Sequence, residues 1–267
     1  MNQTAESCPK SLSGVLRLRW AFNLALLAGF SSLAAEGDPV VKNVPSVVAG
    51  SKSVTSWYRL SPEQFADLPE AKQAIRFATL DPSLLAAAIF HATNRQRAKS
   101  QLAVLEYDAA ASEAARLQAS AMATHKFIGH ENDFDTTLKT PMDRIRKVGL
   151  RPGYIAENVA LELARKHHSG ETYYTRTVDG VTVFSVLPDG PPIPMHSYIG
   201  FAEALLDGWM HSPGHRANIL SDKARRLGCA GAPTYDPAGF EMFYCAQVFF
   251  APPVNSQSTP LETSPGQ

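Results

Sequence analysis

The order of textures along the chain constrains its fold more than any single residue does: helix-forming segments come first, and two segments of strong β-formers close the patterned region. Asp81-Pro82-Ser83 sets a capping side chain before a proline at the first helical position, which predicts a helix over about 84–97. A second helix is predicted over 109–124. Ala110, Ala114, Leu117 and Ala121 recur at helical spacing as its buried face, and their small size lets a neighbour approach closely. Residues 141–148, closed by Gly149, predict a third helix. Residues 198–211, ended by Ser212-Pro213-Gly214, predict a fourth. Residues 226–232 and 240–251 then read as two strands joined by a turn within 233–239. Helices followed by paired strands predict an α+β sandwich.

Between the third and fourth helices the texture changes. Residues 172–186 are β-branched and aromatic around Asp179-Gly180, the signal of a hairpin. Upstream, 36–56 is small, polar and Val-rich and reads as a linker or loose arm. Ser61-Pro62-Glu63-Gln64 starts a short helix. The chain therefore divides into 1–34, an N-terminal arm or linker over 35–80, one domain over 81–252 with a hairpin inserted near 165–197, and a disordered tail over 253–267. With 267 residues, 45% of them hydrophobic, there is apolar material for one sizeable core.

The first segment has the form of a signal peptide. Lys10, Arg17 and Arg19 precede an apolar run over 20–33, and Ser32-Leu33-Ala34-Ala35 supplies small residues for cleavage after about Ala34. The run is shorter than the roughly 20 residues of a membrane span; an uncleaved anchor is the alternative. The expected location is secreted or periplasmic, with no stable membrane span after cleavage. Basic and acidic residues balance at 25 each, which excludes the basic excess of a nucleic-acid binder. Cleavage discards Cys8 and leaves Cys229 and Cys245, one in each closing strand. An oxidising compartment then leads to the expectation of a cross-strand disulfide, with two free buried thiols as the alternative.

Three segments join histidine or acid to turn-forming residues: Gly129-His130-Glu131-Asn132, Ala156-Glu157-Asn158, and the run from Trp209 through Ser212-Pro213-Gly214-His215-Arg216-Ala217-Asn218 to Leu220. Each is read as a helix end or short connection, where functional side chains are commonly displayed. His130, Glu157 and His215 are the catalytic candidates. Two imidazoles and a carboxylate can bind a divalent ion such as zinc, shuttle protons, or hold loops together. There is no His-Glu-x-x-His run and no Gly-x-Ser-x-Gly turn. His91 reads as a packed helix residue, His167-His168 as a solvated loop, and His125 and His211 as supporting groups at most.

These segments, in this order, resemble the CAP superfamily of cysteine-rich secretory, antigen 5 and pathogenesis-related proteins, and its bacterial SCP-like branch in particular. The resemblance runs from Thr93-Asn94-Arg95 through Phe127 to His130, Pro141-Met142-Asp143-Arg144-Ile145, Glu157-Asn158 and the Trp209–Leu220 signature to Cys245-Ala246-Gln247-Val248-Phe249, and covers roughly 84–251. It implies a three-layer α-β-α sandwich with an antiparallel sheet and a central cleft. His130 and His215 match the family's cleft histidines and Glu157 its first glutamate, with Asn158 and Asn218 beside them. At the second glutamate's position this chain has Ser212, and Glu203 does not take its place.

Two functions follow. The first is a binding module for a lipid, sterol, metal ion or other envelope component. The second is a hydrolase of peptide or cell-wall bonds in which Glu157 or a histidine activates water, with a divalent ion held by His130 and His215. The missing carboxylate favours binding over catalysis. The inserted hairpin is read either as a cap or partner surface for the cleft or as a surface elaboration.

Overall fold

A computed structural model describes residues 54–168 and 170–253. The signal segment, the first part of the arm and the tail from residue 254 lie outside the described residues.

Three signals of the same kind start helices. Ser61 caps α1 (Pro62–Ala66) in a reciprocal box with Gln64, Asp81 caps α2 (Pro82–Lys99), and Thr140 caps α4 (Pro141–Lys147) in a box with Asp143. Each places proline in the first turn, where its missing N–H costs nothing. Asp108 caps α3 (Ala109–His125) and Ser197 caps α5 (Tyr198–His211). Ser212-Pro213-Gly214 ends α5 at His211, as expected, and also opens a further helix, α6 (Pro213–Ile219), that was not.

The strands are β1 (Glu106–Tyr107), β2 (Tyr154–Leu163), the hairpin β3 (Tyr174–Val178) and β4 (Val181–Ser185), β5 (Arg226–Tyr235) and β6 (Glu241–Ala251). The main sheet has the order β1-β5-β6-β2. Its long pairings are antiparallel, as expected. The two-residue β1 adds a parallel pairing to β5 that was not. Strand β2 lies at the sheet's edge and had no counterpart in the sequence reading.

Two layers of helix cover the sheet. On one face α2, α5 and the arm bury Leu85, Ile89, Phe201 and Trp209 against Leu227, Phe243 and Phe249. On the other, α3 and α4 bury Ala111, Ala115, Ala119 and Ile145 against Val159, Ala246 and Val248. This is the three-layer α-β-α sandwich. The buried face of α3 is Ala111, Ala114, Ala115, Gln118, Ala119 and Met122, rotated from the expected set although Ala114 belongs to both. The contact is close: a Cβ on Gly228 of β5 would lie 2.0 Å from the Ser112 nitrogen, so only glycine fits.

The arm from Val54 onward is packed structure rather than a linker. Trp57, Phe65, Ala71, Ile75 and Phe77 are all buried in the core. The hairpin turns at Asp179-Gly180, both with positive φ, as an Asp-Gly turn requires. It packs Tyr173, Phe184 and Ile193 against Leu163, Phe240 and Met242. Leu163 stands six residues along β2 from Glu157, about 20 Å in a strand, so the hairpin buttresses the far end of the sheet.

Cys229 and Cys245 are free, buried thiols, and the expected disulfide is not formed. The register gives the reason. Cys229 lies opposite Gln247, and Cys245 opposite Gly231. The cysteines are therefore diagonal neighbours, at a separation typically about 7–8 Å, beyond the usual Cα range of a disulfide. Burial pushes both thiol pKa values up, so they are packing groups rather than nucleophiles.

Candidate functional site

Glu157 and Asn158 sit within the edge strand β2 rather than in a connection, and consecutive strand residues point to opposite faces. Glu157 shares the α3/α4 face with Val159. Asn158 shares the α2/α5 face with Ala156 and Ala160. The site is built around that edge, half on each side.

On the first side the carboxylate of Glu157 is 2% exposed and meets Arg144 of α4, 1% exposed. Arg144 Nη2 donates to Glu157 Oε1 at 3.0 Å and Oε2 at 2.8 Å. The same guanidinium donates to the carbonyls of Leu138, Lys139 and His130. It thereby fastens the loop that carries His130 to helix and strand together. His130 Nδ1 lies 3.0 Å from Glu157 Oε1. The carboxylate can only accept, so Nδ1 carries a hydrogen. The His130 side chain is 49% exposed, so its ring is accessible.

On the second side the groups are neutral amides. Asn158, fully buried, donates to the His215 carbonyl at 3.2 Å and to Gln247 Oε1 at 3.1 Å. Asn218 donates to Asn158 Oδ1 at 2.9 Å and to the Glu157 carbonyl at 3.2 Å. Gln247 donates to Thr93 of α2 at 2.6 Å. This ladder holds α6, and with it His215, against the strand edge. The outward carbonyl of Val159 is taken by Trp209 Nε1, so the edge strand is capped by side chains and offers little to a foreign strand.

His215 is half-buried and lies edge-on to Trp209, with ring centroids 6.5 Å apart. Its pKa is lowered, first by burial and then by the charge of His130. The imidazoles from the two sides are thus close enough to feel one another. Of the residues expected at the site, His130 and Glu157 are in direct contact, His215 lies within reach of the charge of His130, and Asn158 and Asn218 brace the strand edge. Glu203 pairs with Arg95, His125 stacks on Phe134, and His211 bonds back to its own helix at Asp207; none joins the site. His167, expected to be solvated, is buried, and His168 is exposed. Arg144 was missed as a site residue. Its signal was an arginine one place after the capping Asp143 and beside the apolar Ile145, a position that faces inward.

The donor set does not fit a zinc centre. Both Glu157 oxygens accept from Arg144, and His130 Nδ1 is committed to Glu157. That leaves His130 Nε2 and His215, short of the three protein ligands of a catalytic zinc. Among the described residues no group of three or more His, Cys, Asp or Glu side chains is placed to hold a metal ion. The carboxylate is likewise ill-placed to activate water: it is buried and saturated with donors. A shallow groove of about 340 Å³, lined by Met210, His211, Pro213, Arg216, Ala217 and Leu220, lies along α6 and includes none of His130, Glu157 and His215.

Among solved structures the chain resembles an extracellular protein containing an SCP domain from Bacillus anthracis str. Ames, at 22% identity and TM-score 0.43. That match covers 63% of this chain and 41% of the Bacillus chain. It also resembles an outer surface protein from Borrelia burgdorferi, at 17% identity and TM-score 0.38, covering 61% of this chain and 88% of that one. A cysteine-rich secretory protein from Staphylococcus aureus subsp. aureus Mu50 matches at 15% identity and TM-score 0.36, covering 64% and 39%. No curated protein sequence matches the chain significantly. The family model for CAP, the cysteine-rich secretory protein family, matches residues 90–249, which span every residue of the site from His130 to Gln247, and the chain belongs to that family.

Proposed function

We propose that the protein is an exported binding module whose cleft, between His130 and His215, takes up a component of the cell envelope without turning it over. The observation that carries the reading is the state of Glu157. Its carboxylate is buried under Arg144 and His130, so the acid of the site holds an imidazole in place rather than offering itself to a water. What the cleft presents outward is a pair of imidazoles, whose ring nitrogens can hydrogen-bond ligand hydroxyl or amine groups. Export is supported by the basic-then-apolar N-terminal pattern and by the secretory family to which the chain belongs.

The test is co-sedimentation of the purified protein with insoluble peptidoglycan sacculi and, separately, with phosphatidylglycerol/phosphatidylethanolamine vesicles. Binding to one of these by the wild type, weakened about tenfold or more in the His130→Ala/His215→Ala double variant at unchanged melting temperature, is the expected result; tenfold corresponds to about 1.4 kcal/mol. Equal sedimentation of the two proteins, or none with either material, overturns the reading. Release of soluble fragments from the sacculi by the wild type alone overturns the absence of turnover.

A further inference from the structure

The arm, residues 54–80, precedes the matched family region and is held by two unequal attachments. Residues 71–75 are tied by backbone bonds to the start of α5: Ile75 N–H donates to the His196 carbonyl at 2.8 Å, and Ile199 N–H to the Ala71 carbonyl at 3.0 Å. Residues 54–68 attach through side chains instead. Tyr58 stacks on Tyr107 at 3.6 Å, and Trp57 and Phe65 bury their rings.

At the centre of that second attachment sits His91 of α2, 2% exposed. Its Nε2 lies 3.0 Å from the Trp57 carbonyl. A carbonyl only accepts, so Nε2 carries the hydrogen and Nδ1 is a bare lone pair. Nδ1 is buried and has no hydrogen-bond partner among the described residues. Phe65 of α1 stacks over the ring at 4.4 Å, Phe90 meets it edge-on at 5.2 Å, and Tyr58 lies parallel at 6.4 Å. The titratable groups facing it are Glu63 of α1, whose charge reaches the ring, and the Tyr58 phenol of the 3-10 turn Val54–Arg59, whose pKa burial raises. The neutral ring fits this place, and the protonated ring does not: a second N–H would have no acceptor among the described residues, and its charge would be cut off from water.

We propose that His91 is an acid-operated latch, and that its protonation at Nδ1 lifts residues 54–68 off α2 while the backbone-anchored stretch from Ala71 onward and the sandwich stay folded. Burial lowers the His91 pKa from 6.5 to about 4, with the Trp57 bond and Glu63 opposing it more weakly. The sign follows from linkage. The released imidazole takes its proton near pH 6.5 and the docked one near 4, so the stabilisation that the neutral ring gives to docking is fully present above the first value and is lost as pH falls towards the second. The docking equilibrium weakens about 30-fold at pH 5 and approaches about 300-fold at the acid limit. The segment so released is the N-terminal end of the described residues, so acid loosens the arm there while the sandwich stays intact.

The experiment is fluorine NMR of the full chain labelled with 5-fluorotryptophan, which reports Trp20, Trp57 and Trp209 separately, between pH 7.5 and 4.5. The expected result is movement of the Trp57 signal to an exposed position as pH falls while Trp209 keeps its own. In His91→Gln, whose amide still donates to the Trp57 carbonyl but takes no proton, Trp57 stays in its buried position throughout. Joint movement of Trp57 and Trp209, an immobile Trp57 in the wild type, or release in His91→Gln at the wild-type pH each overturns the latch. Should His91→Gln expose Trp57 already at pH 7.5, His91→Phe, which restores the ring packing without a titrating group, is judged by the same outcomes.

Discussion

Glu157 and Asn158 are neighbours in one strand, yet the two faces of β2 solve the burial of a polar side chain by opposite means. On the Glu157 face a full charge is buried and matched by another, the Arg144 guanidinium. On the Asn158 face burial is met by amides and hydroxyls alone, through Gln247, Asn218 and Thr93. Each arrangement holds one imidazole, His130 by charge and His215 by amides. A buried ion pair is costly to break because it leaves a charge uncompensated, but it contributes little beyond what an apolar pair of the same volume would. An amide ladder costs less at each deletion and is harder to replace, because every member serves at least two partners.

The largest effect expected from this contrast is therefore Arg144→Met. It strands the Glu157 carboxylate, frees the His130 loop, and should cost about 3–5 kcal/mol in urea unfolding. Adding Glu157→Leu to it should recover most of that loss, because the charge is removed together with its partner. Such a rescue would sharpen the comparison. A double variant as unstable as the single one would break it, since the contribution would then lie in the Arg144 bonds to loop carbonyls.

Asn158→Ala should cost about 1–3 kcal/mol, the range for leaving a buried partner unsatisfied. Here no single second substitution should rescue, because Gln247, Asn218 and the His215 carbonyl each lose a partner. Chemical denaturation of Asn158→Ala and Asn158→Ala/Gln247→Leu checks this. Recovery in the double variant would make the two faces alike.

The same contrast explains what was legible in the sequence. The helices α2 and α4 were readable from the prolines that open them and α3 from the spacing of its alanines, all local signals, as was the hairpin from Asp179-Gly180. The family signature placed His130, Glu157 and His215 before any geometry was available. Strand β2 was not readable: Glu157, Asn158 and the alanines at 156 and 160 give it no alternation, since its polar residues are satisfied at long range by Arg144 and Gln247. Helix α6 was hidden by reading Ser212-Pro213-Gly214 as a stop, although Ser61-Pro62 and Asp81-Pro82 begin helices in this same chain. Ser212 makes no side-chain cap, so its local signal is the weaker one. The face of α3 was displaced because Gln118 is buried among its alanines, donating to the Gly129 carbonyl, which a hydrophobic count passes over. The cysteines lay in the expected strands, but register, and not strand membership, decides whether two sulfurs meet.

Acid should act on the amide-held side through His215. Its pKa is depressed below the usual histidine value, first by burial. The folded state therefore resists a proton that the unfolded chain accepts, and this contribution to stability is present above about pH 6.5 and erodes as pH falls below it. The urea midpoint of the wild type should fall between pH 7 and 5.5 more than that of His215→Gln. Equal falls would remove His215 from the acid response.

The smallest effect tests whether the two sides meet at all. The charge of His130 is the second cause of the lowered His215 pKa, and His130, half exposed, can be removed without opening the core. In His130→Ala the His215 pKa should move upward but stay below its ordinary value, because burial remains. Proton NMR titration of the imidazole resonances measures both quantities. An unchanged His215 would place the two rings in separate environments, and the cleft would reduce to two unrelated braces on one strand. A rise confined to the variant lacking His130, and absent from His125→Ala or His211→Ala, would establish that charge and amide deliver their imidazoles to one shared space.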